Sequence, residues 1–122
     1  MARKILVADD EQPILDTIGA YLRQEGFEVA TARNGRDALY LFRDIHPDLV
    51  VLDVMMPEMD GYTAMREIRN RPEWRRLPII ALTAKAMKDD QEKCLAAGAN
   101  DYIAKPLDVE KLLSLVRVWM PK

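Results

Sequence analysis

The sequence predicts an α/β fold: a doubly wound parallel sheet of five strands in the order 2-1-3-4-5, each strand followed by a helix, (βα)5. Three observations predict it. Short apolar runs alternate with stretches of helical spacing along the chain. Two of the runs, Leu49–Leu52 and Ile79–Leu82, carry no polar break, as strands covered on both faces require. The 122 residues are about half of what an eight-unit barrel needs, so an open sheet is the solution that fits.

Each element has its own signal. Ile5–Ala8 is the first strand. Ile14, Leu15, Ile18, Tyr21 and Leu22 fall on one arc of the first helix, with Pro13 suited to its first turn and Gly26 to the position past its end. Phe27–Thr31 is the second strand. Asn34 and Gly35 open the second helix, whose stripe is Ala38, Leu41, Phe42 and Ile45, and Pro47 follows its end. After the third strand, Leu49–Leu52, Met65 and Ile68 mark a shorter helix. The polar stretch Arg69–Arg76 reads as a loop. The fourth strand is Ile79–Leu82. Its helix is weakly marked by Met87, Cys94 and Leu95 among Lys88, Asp89, Asp90, Glu92 and Lys93, and Gly98 stands where it should stop. Such thin anchorage predicts low local stability. Tyr102–Ala104 is the fifth strand, and Val109, Leu112, Leu113, Val116 and Trp119 stripe the last helix. With no linker or repeat, the expectation is one domain over residues 1–122.

Composition narrows the function. Eighteen basic against twenty acidic residues give a net charge of −2, so no basic field exists for direct nucleic-acid binding. One cysteine and one histidine exclude a disulfide framework and leave zinc without its usual ligands. No apolar run approaches the roughly 20 residues of a membrane helix, and Met1-Ala2-Arg3-Lys4 passes straight into the first strand without a signal-peptide pattern. The expectation is a soluble cytoplasmic domain with no membrane partner.

In a doubly wound sheet, ligands bind at the carboxyl ends of the strands. Strand one ends in Asp9-Asp10, strand three in Asp53, strand four in Thr83 and strand five in Lys105-Pro106. Strands one and three are neighbours in the predicted order, so three carboxylates share one region. Two like charges about 5 Å apart repel by roughly 3 kcal/mol at an effective dielectric of ~20, and three such pairs cost on the order of 10 kcal/mol. Lys105 offsets part of this and a divalent cation can offset the rest. An all-oxygen donor set favours Mg²⁺, Mn²⁺ or Ca²⁺, and Mg²⁺ in particular keeps waters and accepts phosphate oxygens. Thr83 offers a hydroxyl, Lys105 a point charge, and a carboxylate beside them can form an acyl phosphate.

The Asp9-Asp10 pair, the Asp53-Val54-Met55-Met56-Pro57 run with Asp60-Gly61 behind it, Thr83-Ala84 and Lys105-Pro106 together resemble the receiver domain of two-component response regulators. The resemblance spans residues 4–119. It implies a flavodoxin-like fold in which Asp53 is the phosphoacceptor, charged by a phosphohistidine on a histidine kinase or phosphotransfer protein. It further implies that Asp10, Asp53 and the Met55 carbonyl hold Mg²⁺, with Asp9 contributing through water. Lys105 would pair with Asp53 and then with the phosphoryl group, through a cis bond to Pro106. Thr83 and Tyr102 would be the switch pair, with helix 4, strand 5 and helix 5 as output surface. Ala84 would keep the approach open, while Met55 and Lys85 would tune water access. A monomer or a phosphorylation-dependent dimer is implied. The Ala84–Leu107 stretch and the Val118-Trp119-Met120-Pro121 ending are similar to hybrid-kinase receivers, and Ala2–Glu11 to transcription-factor receivers. A stand-alone regulator, an excised receiver, a piece of a hybrid kinase and an engineered chain all stay open.

Blander readings compete. Asp9 and Asp10 alone could be helix caps. Asp60 reads as a turn and helix start, Cys94 as an apolar filler and His46 as a surface residue away from the site. Val118 points off the last helix stripe, with Leu115 at its flank. A haloacid-dehalogenase-type phosphatase needs a second Asp two residues after the nucleophile, where Met55 and Glu11 stand instead. A flavodoxin-like electron carrier needs a hydroxyl- and glycine-rich phosphate loop, where Asp9-Asp10-Glu11 would repel the ligand.

Overall fold

Five parallel strands form one sheet in the order β2-β1-β3-β4-β5. The computed structural model describes residues 2–56, 59–83 and 88–121, and for residues 88–90 the backbone alone. Along the chain run β1 (Lys4–Ala8), α1 (Gln12–Gln24), β2 (Glu28–Ala32), α2 (Gly35–Ile45), β3 (Leu49–Asp53), α3 (Gly61–Arg69), a 3-10 turn (Pro72–Trp74), β4 (Ile79–Thr83), α4 (Lys88–Ala97), β5 (Asp101–Ala104) and α5 (Val109–Trp119). Pro57, Ala84, Lys85 and Met87, singled out in the sequence, lie outside the described residues, as do the side chains of Lys88, Asp89 and Asp90.

Alternation along the strands creates two cores. Leu6 and Ala8 of β1, Val50 and Leu52 of β3 and Ala81 of β4 pack with Phe42, Met65, Ile68, Cys94 and Ala97 from α2, α3 and α4. Ile5 and Val7, Leu49 and Val51, Ile80 and Leu82 pack on the other face with Leu15, Ile18 and Leu22 of α1 and Leu112 and Val116 of α5. The predicted unbroken runs of β3 and β4 are buried throughout. Three helices start on side-chain caps: the Asn34, Asp60 and Asp108 side chains accept from the amides of Asp37, Thr63 and Lys111 at 2.8, 2.8 and 3.2 Å. Asp60 is thus a helix start. Gly26 and Gly98 take positive φ, 96° and 122°, past the ends of α1 and α4. Exposed His46 closes α2 with φ 49°. It lines a surface cleft with Ala2, Arg3, Lys4 and Asp48, at the amino end of β1.

Several expectations shift. β2 begins at Glu28, because the Phe27 amide is used to close α1 on the Leu22 carbonyl, 3.1 Å. β5 begins at Asp101, paired with Ile80. Tyr21 and Leu95 lie on their apolar stripes yet remain 45% and 49% exposed. The predicted loop Arg69–Arg76 instead contains the last residue of α3 and the 3-10 turn. Arg69 explains the order there. Its guanidinium donates to the carbonyls of Trp74 (2.8 Å), Arg75 (3.0 Å) and Gly98 (3.0 and 2.8 Å) and to Asn100 Oδ1 (2.9 Å). Asn100 Oδ1 also accepts the Ile79 amide at 2.9 Å. Trp74 meets Phe42 edge-on, ring centroids 4.1 Å apart. The amino end of β4, opposite the strand-end carboxylates, is thereby fixed. Among the described residues no helix is long and apolar enough to cross a membrane.

Candidate functional site

Register brings the predicted residues together. Ala8 pairs with Leu52, so Asp9 emerges beside Asp53, the last residue of β3. One carboxylate oxygen from each of Asp9, Asp10 and Asp53 lies within 4.8 Å of the others. Asp9 is fully buried, Asp53 is 2% exposed and Asp10 is half-buried. Lys105 follows β5, with its bond to Pro106 cis. The Lys105 amide donates to the Thr83 carbonyl at 2.7 Å, and its side chain crosses the strand ends. Nζ stands 3.1 Å from Asp9 Oδ2, 3.4 Å from Asp53 Oδ2 and 3.6 Å from Glu11 Oε1. The cation is therefore closest to Asp9, with Asp53 second.

The local backbone holds the carboxylates in place. Asp9 Oδ1 accepts the Glu11 amide at 2.9 Å and Asp53 Oδ1 accepts the Met55 amide at 3.1 Å. The loop leaving β3 is pinned by Val54 N–H to the Leu82 carbonyl (3.0 Å) and Gly61 N–H to the Val54 carbonyl (3.1 Å). A Cβ at Gly61 would collide with the Asp53 carbonyl and stand 2.6 Å from the Val54 Cα, so only glycine lets α3 begin this close to the strand. The Met55 side chain is 66% exposed. Its backbone, rather than its thioether, faces the cluster's chemistry through that amide.

Electrostatics follow from burial. Desolvation pushes the Asp53 carboxyl up to about 6, against the Met55 hydrogen bond and Lys105, with the Asp9 charge adding to the rise. Asp9 is raised for the same first reason, although the Glu11 amide and Lys105 pull it down. For Lys105, burial works to lower the pKa, but the close Asp9 carboxylate and the charges of Asp53 and Glu11 outweigh it, and the net shift is upward. One ammonium thus faces Asp9, Asp53 and Glu11, with Asp10 beside them in the carboxylate cluster. Asp9 Oδ2 sits at ion-pair distance from Lys105 without hydrogen-bond geometry, and among the described residues it has no hydrogen-bond partner. A buried carboxylate oxygen left so, in an all-oxygen cluster, fits a hard divalent cation such as Mg²⁺.

The remaining site residues fall where the sequence put them. Thr83, 2% exposed, ends β4 and pairs with Ala104. Tyr102 pairs with Ala81 on the strand beyond, half-buried against the core under α2, α3 and α4. Cys94 is a fully buried member of that core. Val118, 70% exposed, and half-buried Leu115 lie on α5 as expected. Sequence reasoning missed two residues beside the cluster. Glu11 touches Lys105, and Arg33 donates to the Asp10 carbonyl at 3.3 Å. Glu11 carried a signal as the third acid in a row; Arg33 carried none.

The family model of the response regulator receiver domain matches residues 5–117. Among solved structures, the chemotaxis response regulator CheY4 of Vibrio cholerae is 29% identical, with a TM-score of 0.93 over 98% of this chain and 100% of that one. The receiver domain of sensor histidine kinase PA1611 from Pseudomonas aeruginosa is 39% identical, with a TM-score of 0.89 over 98% of each chain, and has a magnesium ion coordinated in its active site cleft. The BeF3-activated DrrB receiver domain is 37% identical, with a TM-score of 0.85 over 98% of this chain and 97% of that one.

Proposed function

The chain belongs to the receiver-domain family of response regulators, and from that premise we propose that residues 1–122 act as one phosphoacceptor switch in a two-component relay, with Asp53 as the acceptor. The observation that carries this reading is the convergence of Asp9, Asp10, Asp53 and Lys105 at the carboxyl edge of the sheet. With its pKa near 6, Asp53 is mostly ionised at neutral pH and available as a nucleophile. A carboxylate oxygen attacks the phosphorus of a partner's phosphohistidine. The P–N bond breaks, its electron pair returns to the imidazole, which is reprotonated, and a P–O bond to Asp53 forms. Water later attacks the phosphorus, releases inorganic phosphate and restores the carboxylate.

Asp10, Asp53 and the Met55 carbonyl, with Asp9 behind them, would hold Mg²⁺. When bound, the ion neutralises charge on the carboxylates and the phosphoryl oxygens. Lys105 follows the phosphoryl group as a point charge, and Thr83 supplies a hydroxyl to one of its oxygens. Tyr102, on the adjacent strand, responds by changing its packing and so alters the α4–β5–α5 face. The partner is a histidine kinase or histidine phosphotransfer protein in the cytoplasm. The test is labelling by acetyl phosphate with and without Mg²⁺. Labelling that needs Mg²⁺ and vanishes in Asp53→Asn is expected; undiminished labelling of that variant refutes the assignment.

A further inference from the structure

Glu11 occupies the N-cap position of α1, yet its side chain makes no cap hydrogen bond. Ser, Thr, Asp or Asn at this position turns its oxygen back onto the first turn, and the longer Glu side chain is left available for another partner. Here the backbone is pinned by the Glu11 amide donating to Asp9 Oδ1, and the carboxylate reaches across to Lys105, 3.6 Å from Nζ, while 58% of the side chain stays exposed. Asp9, Asp10 and Asp53 converge closely enough to share a cation, and Glu11 is not a member of that group.

We propose that Glu11 is a tether for Lys105, a positioning residue that opposes transfer of the ammonium to the phosphoryl group and so weakens the phosphorylated state. This rests on the phosphoacceptor reading above. The reason lies in which charges survive loading. A divalent cation among the three aspartates diminishes their hold on Lys105, and phosphorylation moves the Asp53 charge outward. Glu11, outside the cation group, keeps its full charge and its contact. Lys105 must then leave, or share, Glu11 in order to reach the phosphoryl oxygens. The cost enters directly into the stability of the acyl phosphate and of any anion mimicking it. A half-exposed ion pair of this kind changes an equilibrium by about two- to fivefold.

The experiment is equilibrium binding of beryllofluoride in saturating Mg²⁺, measured by calorimetry on the parent, Glu11→Gln, Glu11→Asp and Asp16→Asn. Glu11→Gln is expected to tighten binding about two- to fivefold, a direction that structural damage would not produce. Glu11→Asp keeps the charge but is one methylene too short for the contact, and it should retain most of that gain. Asp16→Asn removes an equal charge from an exposed α1 residue engaged with Gln12, and it should leave the affinity unchanged. No tightening in Glu11→Gln overturns the tether. So does a Glu11→Asp variant equal to the parent, or an equal gain from Asp16→Asn, since either result assigns the effect to net charge. A parent chain that binds no beryllofluoride overturns the phosphoacceptor reading itself, and the tether with it.

Discussion

Replacing Asp53 with asparagine in the metal-free protein is expected to stabilise the fold, and to do so more at high pH than at low. In the folded chain the Asp53 carboxyl titrates near 6 rather than 3.8, chiefly through burial. A raised folded-state pKa means that the fold binds the proton more tightly than the unfolded chain does. Stability therefore falls as pH rises from 3.8 to about 6, and the loss is complete above that range. A shift of about two units corresponds to about 3 kcal/mol at pH 8 and about 1 kcal/mol at pH 4.5. Asparagine stands in for the neutral acid at every pH. Any fixed cost of the amide cancels in the difference between the two pH values, which should be about 2 kcal/mol. At about 4 °C per kcal/mol for a chain of this size, the gap in melting temperature between variant and parent should widen by about 8 °C from pH 4.5 to pH 8 in EDTA. Thermal melts followed by circular dichroism read this directly. A gap that is constant or narrows as pH rises would refute the argument, because it would show that ionised Asp53 is not strained by desolvation. Saturating Mg²⁺ should then favour the parent, since a ligand that binds only the native state adds stability by mass action.

Two further substitutions test how the site is framed. Arg69→Lys is expected to cost about 2–3 kcal/mol in urea unfolding, because an ammonium cannot reproduce the guanidinium fork that joins Gly98, Trp74, Arg75 and Asn100; a change under about 0.5 kcal/mol would make those bonds energetically idle. Gly35→Ala should destabilise by about 1–3 kcal/mol although it removes a glycine from a helix, because the new Cβ would run into the Met59 carbonyl and stand 2.8 Å from the Met59 Cβ. A gain of stability in that variant would mean that helix propensity outweighs the close approach.

What could be read from the sequence was whatever a local pattern encodes. The Leu49–Leu52 run implies two covered faces, and β3 has both. Pro13, Asn34 and Gly98 each sit at a position with one steric or hydrogen-bonding solution, and α1, α2 and α4 begin or end there. Once strands one and three were placed side by side, the meeting of Asp9, Asp10 and Asp53 followed from their places at the strand ends. Arg69 shows where such reading stops. Its acceptors at Gly98 and Asn100 lie 29 and 31 residues along the chain, and three of its four are carbonyls, which every residue carries. Tyr21 fails for another reason: a helical arc gives direction, but not how far a neighbouring element extends to cover it. Glu11 lay between these cases, its charge visible and its reach over to Lys105 a matter of the loop that turns it.

Among the described residues, the sheet splits the interior into two compartments with no shared side chain: Leu6 and Ala8 on one side, Ile5 and Val7 on the other. Each buried apolar strand residue packs on one side alone, so a change of side-chain volume beneath α5 meets no side chain of the core beneath α3. Mutational drift in the two halves is therefore decoupled. A lineage can rewrite the packing of one wall, and with it the surface it presents to partners, while the opposite wall and the acidic rim above both remain as they were.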